Sequence, residues 1–346
     1  MKKFGYVPAL DGVRALAVLS VVGFHAVKLP FGGDLGVDVF FVLSGFLITT
    51  LLLAEHGRTG AISLRAFYRR RALRLLPALL AMLAVYLSVV GALYSAGQWS
   101  GERAHAALRS AGLGIFYVAN FAAAYSDHLT SNLNHLWSLA TEEQFYLALP
   151  LLLVVCLRAG LGARGLVLVL GSLLVLVLAH RTQLVLSGGY AAARHAFYGP
   201  DCRTDGLIVG CLAGVAYTQG WARLASRTAS VGLAATCLIL LLGAPFEPRM
   251  LVVLPLLNLA AAVVILEIAR RPDAFPRLQR RPVVYLGRIS YGLYLWHPLT
   301  LAVLGPVGAL VAVPVAAASH RFVERPALAL RYPTTSSGGA SSPAAS

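Results

Sequence analysis

Residues 6–26 read YVPALDGVRALAVLSVVGFHA, an apolar stretch about the length of a membrane-crossing helix that nevertheless contains an aspartate, an arginine and a histidine. An ionisable group at the centre of a bilayer costs roughly 2.5 kcal/mol or more. Asp11, Arg14 and His25 are therefore expected to face a bundle interior or a wet cavity, where a functional site is the default reading. At about 100° per residue, the step from Arg14 to His25 returns to within about 20° of the same helical face and rises roughly 16 Å. The two side chains lie on one stripe and mark two depths of one path.

The rest of the chain has the same character. Of 346 residues, 58% are hydrophobic and only 12% are charged, which excludes a soluble domain of any size and predicts an all-α integral membrane protein with small loops. The start, MKKFGYVPALDGVRAL, is basic but has no small-residue cleavage site, so it reads as a retained helix rather than a signal peptide. Cys156, Cys202, Cys211 and Cys237 have no paired metal-type spacing and read as isolated packing thiols rather than as a disulfide or metal site. The net charge of +15 falls between apolar spans, as membrane orientation signals do, and does not indicate nucleic acid.

About ten stretches are apolar enough to span: 10–28, 37–54, 75–97, 140–158, 165–180, 204–220, 229–245, 250–269, 285–304 and 307–323. The segment Ala111–Tyr125 is uncharged but short, and reads as re-entrant or interfacial. With that segment not crossing, one side receives Lys2 and Lys3, the Arg58–Arg74 loop, the Arg158/Arg164 and Arg223/Arg227 turns, the Arg270–Arg281 loop and the tail. That is the positive-inside pattern, with N- and C-termini cytoplasmic. If it crossed, the arginines of RRPDAFPRLQRR would lie outside. Residues 1–328 then form one membrane domain, and 329–346, ending TTSSGGASSPAAS, form a disordered tail. Gly206, Gly210 and Gly214 recur every four residues and predict a close helix-packing face.

This topology gathers polar residues from five spans at one depth near the outer face. His25 ends the first span, Asp38 begins the second, Glu142 and Glu143 begin the fourth, Arg203 and Asp205 enter the sixth, and Trp296 and His297 lie in the ninth. Taken singly, Glu143 and Asp34 also suit solvated helix ends, and His128 and His135 suit loop positions. On the cytoplasmic side, Arg69, Arg70, Arg71 and Arg74 open the third span in FYRRRALRLLP. At spacings of three and four they share a helical surface that either grips phosphate oxygens or only snorkels to the interface.

Six motifs in order, ALDGVRALAVLSVVGFHA, GVDVFFVLSGFLIT, FYRRRALRLLP, NHLWSLATEEQFYLALP, CRTDGLIVG and LGRISYGLYLWHP, resemble those of the acyltransferase family 3 membrane proteins, the O-antigen O-acetylase type, from Tyr6 to about Pro326. The resemblance implies a protein of the bacterial cytoplasmic membrane that transfers an acyl group, usually acetyl, from cytoplasmic acyl-CoA to a hydroxyl of a carbohydrate or another acceptor. It places the family's essential histidine on His25 and its partner arginine on Arg14. The CoA-phosphate arginines fall on Arg71 and Arg74 and the WSLxxE glutamate on Glu142, while Arg203, Asp205 and His297 match further polar positions. Many relatives carry an extracytoplasmic hydrolase-like domain; a second-stage transfer here would need another protein.

The expected mechanism has His25 as general base on the acceptor hydroxyl, with Asp38 or Glu142 orienting the imidazole. An acyl-histidine intermediate is the alternative route. Trp296 and His297, with Arg203 and Asp205, are expected to bind acceptor. No metal is expected: a zinc site from His25, His297 and a carboxylate has no supporting ligand spacing. Ser44 in VLSGFL lacks the GxSxG elbow of a serine nucleophile and suits packing. The competing function is a transporter or flippase without chemistry, which would have no need of an anionic-donor dock at the arginines.

Overall fold

Every regular element among the described residues is helical. The computed structural model describes residues 5–126, 131–221 and 245–330. In chain order they form α1 (Pro8–Val27), α2 (Gly36–Thr59), α3 (Leu64–Ser95), the shorter α4 (Gly101–Ile115) and α5 (Ala119–Tyr125), then α6 (Leu136–Arg158) and α7 (Ala163–Ser187). The short α8 (Tyr190–Tyr198), α9 (Pro200–Arg203) and α10 (Asp205–Thr218) follow, and then α11 (Phe246–Arg270), α12 (Arg281–Arg288), α13 (Ser290–Leu304) and α14 (Gly308–Ser319).

Among the described residues, seven stretches are long and apolar enough to cross a membrane: α1, α2 with the turn before it, α3, α6, α7, α11 and the run Ser290–Ala329. The last is folded at Gly305, whose φ of +60° only glycine adopts readily, into α13 and α14 lying against each other. With these spans the chain is a multi-pass membrane protein. Apolar side chains on α7, among them Leu168, Val175, Leu176 and Leu186, point outward, as lipid-facing residues do. The expected span at 229–245 lies outside the described residues apart from Pro245, as do the termini at 1–4 and the tail from residue 331.

The glycine seam appears where the four-residue repeat placed it. A Cβ at Gly210 would strike the Val42 carbonyl, and one at Gly45 would strike that of Leu207, so α2 and α10 touch backbone to backbone. Other boundaries move for identifiable reasons. The helix expected to stop at residue 180 continues to Ser187 as α7, because Arg181 turns inward and is neutralised by Asp205 at 2.9 Å with both side chains 1% exposed. The expected span 285–304 breaks at Ile289 between α12 and α13. Residues 111–125 fall into the ends of α4 and α5, of 15 and 7 residues, separated where Tyr117 takes φ +53°. Neither helix has the length of a span.

Candidate active site

Two of the cavities in the bundle are lined by six of the sequence-predicted residues, Arg14, Arg71, Arg74 and Glu142 in one and His25 and Arg203 in the other. The first has a cavity volume of about 90 Å³ and is lined by Arg14 of α1, Ser44 of α2, Arg71 and Arg74 of α3, Glu142 and Tyr146 of α6, and Ser290, Tyr291 and Tyr294 of α13. Arg71 donates from Nη2 to Glu143 Oε1 at 2.7 Å, and its guanidinium lies 3.3 Å from the Tyr146 ring centroid. Arg14 pairs with Asp11 at 3.3 Å, one helical turn away. Ser44 donates to Glu142 Oε1 at 2.5 Å, and the Tyr146 hydroxyl donates to the same oxygen. Arg70 points elsewhere, toward Glu55 at 3.8 Å. The helical spacing of three thus brings Arg71 and Arg74 to one cavity and leaves Arg70 out.

The second cavity, about 470 Å³, is lined by His25, Asp34, His135, Trp137, Arg203 and Tyr294 among others. His25 occupies the last turn of α1, which ends where Lys28 adopts a left-handed conformation and donates to the Phe24 carbonyl. The imidazole is therefore exposed to the cavity and is not embedded in the middle of a span. Its Nδ1 lies 3.1 Å from Nε2 of His297, a fully buried residue of α13. His297 Nδ1 in turn lies 3.2 Å from the Leu293 carbonyl, which can only accept, so that nitrogen carries a proton. In neutral His297, Nε2 is then an acceptor, and the proton between the rings belongs to His25 Nδ1. His25 Nε2 is left with a lone pair.

Neither carboxylate expected beside His25 is there. Asp38, fully buried, accepts from Arg203 Nη2 through both oxygens at 2.9 and 3.0 Å, so it holds the arginine instead. Glu142 lies in the arginine cavity, because α6 begins at Leu136 and not at residue 140, which sets Glu142 about 9 Å along the helix from its start. The single level predicted for polar groups from five spans is thus two levels. Asp205 is directed away from both cavities, accepting from Arg181 and Asn258 at 2.9 Å each. Trp296 packs into the apolar core beside α3 and α4, since it is rotated about 100° around α13 from His297.

The structure adds residues that the motifs contained but periodicity alone did not single out. His135 lines the second cavity with both ring nitrogens unpartnered, 5.8 Å from the His297 ring centre. Tyr294 borders both cavities, as does Val37, so the two spaces share a wall. Its hydroxyl donates to the His135 carbonyl at 2.9 Å and lies 2.5 Å from Ser138 Oγ. The signal was available in the sequence: Tyr294 stands one turn before His297, and Ser138 one turn after His135. Arg203 Nε and Nη1 are buried without a partner, and the guanidinium carbon lies 5.4 and 5.3 Å from the Trp137 and Phe197 rings. Buried donors left open beside a cavity call for a partner that enters it, whether water, ion or ligand.

The sequence that folds into this helical membrane bundle matches, over residues 7–328, the family described as the acyltransferase domain. The chain belongs to that family. Among its relatives, YrhL of Bacillus subtilis (strain 168) is 33% identical over 93% of this chain and 55% of its own length. The peptidoglycan O-acetyltransferase OatA of Listeria monocytogenes is 32% identical over 93% of this chain and 56% of its own. The O-acetyltransferase OatA of Staphylococcus aureus is 30% identical over 93% and 57%. The chain spans about half the length of the curated relatives it matches. No solved structure matches it.

Proposed function

We propose that this chain is a membrane O-acyltransferase that moves an acetyl group from acetyl-CoA to a hydroxyl of a cell-wall glycan. The observation that carries the reading is the shared wall: Val37 and Tyr294 border a cavity with Arg14, Arg71 and Arg74 on one side and a cavity with His25 on the other. CoA brings phosphates, and guanidinium groups bind phosphate through paired, charge-assisted hydrogen bonds. On this reading the arginine side faces the cytoplasm, in keeping with the distribution of Lys and Arg in the loops. The glycan acceptor is supported by the names of the relatives and by the histidine, asparagine and arginine side chains among those that line the larger cavity.

In the proposed step the thioester reaches past Tyr294 toward His25. His25 Nε2 takes the acceptor hydroxyl proton as the oxygen attacks the thioester carbonyl. The C–S bond breaks, the ester forms and the CoA thiolate leaves, receiving the proton back. His297 fixes the tautomer that makes His25 Nε2 the base, and Asp38 orients Arg203 toward the acceptor. Glu142 and Glu143 hold the arginine cavity in shape.

The test is thiol release from acetyl-CoA by the purified protein in detergent, with and without cell-wall glycan fragments. Release stimulated by acceptor and abolished in His25→Ala is expected. Folded protein that neither releases thiol nor binds CoA would turn the reading toward transport, which keeps its activity without CoA.

A further inference from the structure

Outside both cavities, four side chains from three helices converge: His180 of α7, His195 of α8, and Asp201 and Cys202 of α9. Their ligand-type atoms all lie within 4.8 Å of one another. His180 Nε2 is 2.9 Å and His195 Nε2 2.8 Å from the same oxygen, Asp201 Oδ2. His195 Nε2 also has Asp201 Oδ1 at 3.1 Å and the Tyr125 hydroxyl at 3.3 Å. Two imidazole nitrogens thus meet on one carboxylate, with a thiol beside them, a gathering of metal-ligand atom types in one place. The space is kept open by Gly199, where a Cβ would press on the Asp201 carboxylate and the His195 ring.

We infer that these four residues bind a divalent transition metal of the zinc type. Two imidazoles, one carboxylate and one thiolate are a borderline donor set that suits Zn²⁺, whereas Mg²⁺ and Ca²⁺ take oxygens. Tetrahedral zinc, with bonds of about 2.0–2.3 Å, needs ligand atoms about 3.3–3.7 Å apart. The cluster therefore has to contract by about an ångström at its widest, which side-chain rotation supplies. On binding, Cys202 gives up its thiol proton, and each histidine turns an Nε2 lone pair to the ion while its proton moves to Nδ1. The Cys202 side is buried, while the side chains of His180 and Asp201 are 40% and 44% exposed, so an ion reaches the site from outside the bundle.

The site's use follows from what adjoins it. Arg181 Nη1 donates to the Cys202 carbonyl at 3.1 Å, and the next residue, Arg203, carries the open donors of the histidine cavity. A metal clamp across α7, α8 and α9 fixes the backbone from which Arg203 reaches Asp38. It is a structural site, and it stands whether or not the acyl transfer proposed above is correct.

The experiment uses full-length protein carrying no polyhistidine tag, stripped with chelator in detergent and titrated with Co²⁺, with metal content and absorption read together. One Co²⁺ per chain is expected, with a thiolate-to-cobalt charge-transfer band. Cys202→Ser should retain an ion but lose that band, and His195→Ala should weaken binding by more than the roughly 10- to 100-fold that loss of an outer-shell partner costs. Cys156→Ser, at another buried thiol, should change nothing. Absence of a stoichiometric ion in folded wild-type protein would overturn the inference. So would a charge-transfer band that survives in Cys202→Ser of unchanged elution profile, because the ion would then be held elsewhere.

Discussion

The two cavities differ in how their charges are satisfied. In the arginine cavity, Arg14 has Asp11, Arg71 has Glu143 and leaves only its Nε open, and Glu142 takes hydrogen bonds from Ser44 and Tyr146. In the histidine cavity, Arg203 keeps two buried nitrogens without a partner and His135 keeps both of its own. An internally paired site exchanges protein partners for ligand partners when something binds, so its affinity is a difference between two good arrangements. A site with open buried donors is already carrying the desolvation cost of those groups, and a ligand that meets them recovers it. Under the function proposed above, the paired cavity suits adjustable recognition of an anionic donor and the open one preorganised recognition of an acceptor.

The largest effect expected to sharpen this division is at His25. His25→Ala should lower acceptor-dependent turnover about 10²- to 10⁴-fold, the range of a general base. CoA binding, measured by equilibrium titration, should be unchanged, because His25 does not line the arginine cavity. Equal loss of both would mean that the cavities act as one site. Next in size is Asp38→Ala, which leaves Arg203 buried with no counter-charge. Removing one partner of a buried pair costs about 3–5 kcal/mol, so thermal unfolding in detergent should shift well below the parent. Little or no shift would show that Arg203 has another way to be satisfied.

How far the chain could be read without its structure follows from the same residues. The helical class and the α2–α10 seam were legible, because hydrocarbon forces backbone pairing within helices and Gly206, Gly210 and Gly214 repeat at helical spacing. The cavity shared by Arg71 and Arg74 followed from their spacing in one helix. What failed was depth. Assigning Glu142 to the histidine level required knowing that α6 starts at Leu136, and helix starts are poorly fixed when no capping side chain marks them; none bonds at the start of α6. The partner of His25 was equally hidden, since His297 lies 272 residues away in sequence and reaches it only because α13 packs against α1. Cys202 looked solitary because its companions His180 and His195 come from other helices.

A smaller effect tests the paired cavity. Arg71→Lys keeps the positive charge but loses the planar fork that meets Glu143 and that would meet phosphate. We expect KM for the donor to rise about tenfold, roughly 1.4 kcal/mol, with kcat nearly unchanged and the acceptor KM unaltered. A fall in kcat at constant KM would instead place Arg71 at the reacting atoms, and the assignment of separate tasks to the two cavities would fail.

The smallest effect tests the wall itself. Tyr294→Phe keeps the ring between the cavities and removes only the hydroxyl that holds the His135 carbonyl and Ser138. Loss of such a bond is worth about 1 kcal/mol, so a modest drop in stability is expected with little change in turnover. Tyr294→Ala removes the partition as well. If the ring shields the donor thioester from the histidine cavity, opening it should admit water and raise acceptor-independent hydrolysis of acetyl-CoA relative to the Phe variant. Hydrolysis that does not rise would mean that Tyr294 is not on the path between donor and acceptor, and that the route from the arginines to His25 runs elsewhere in the bundle.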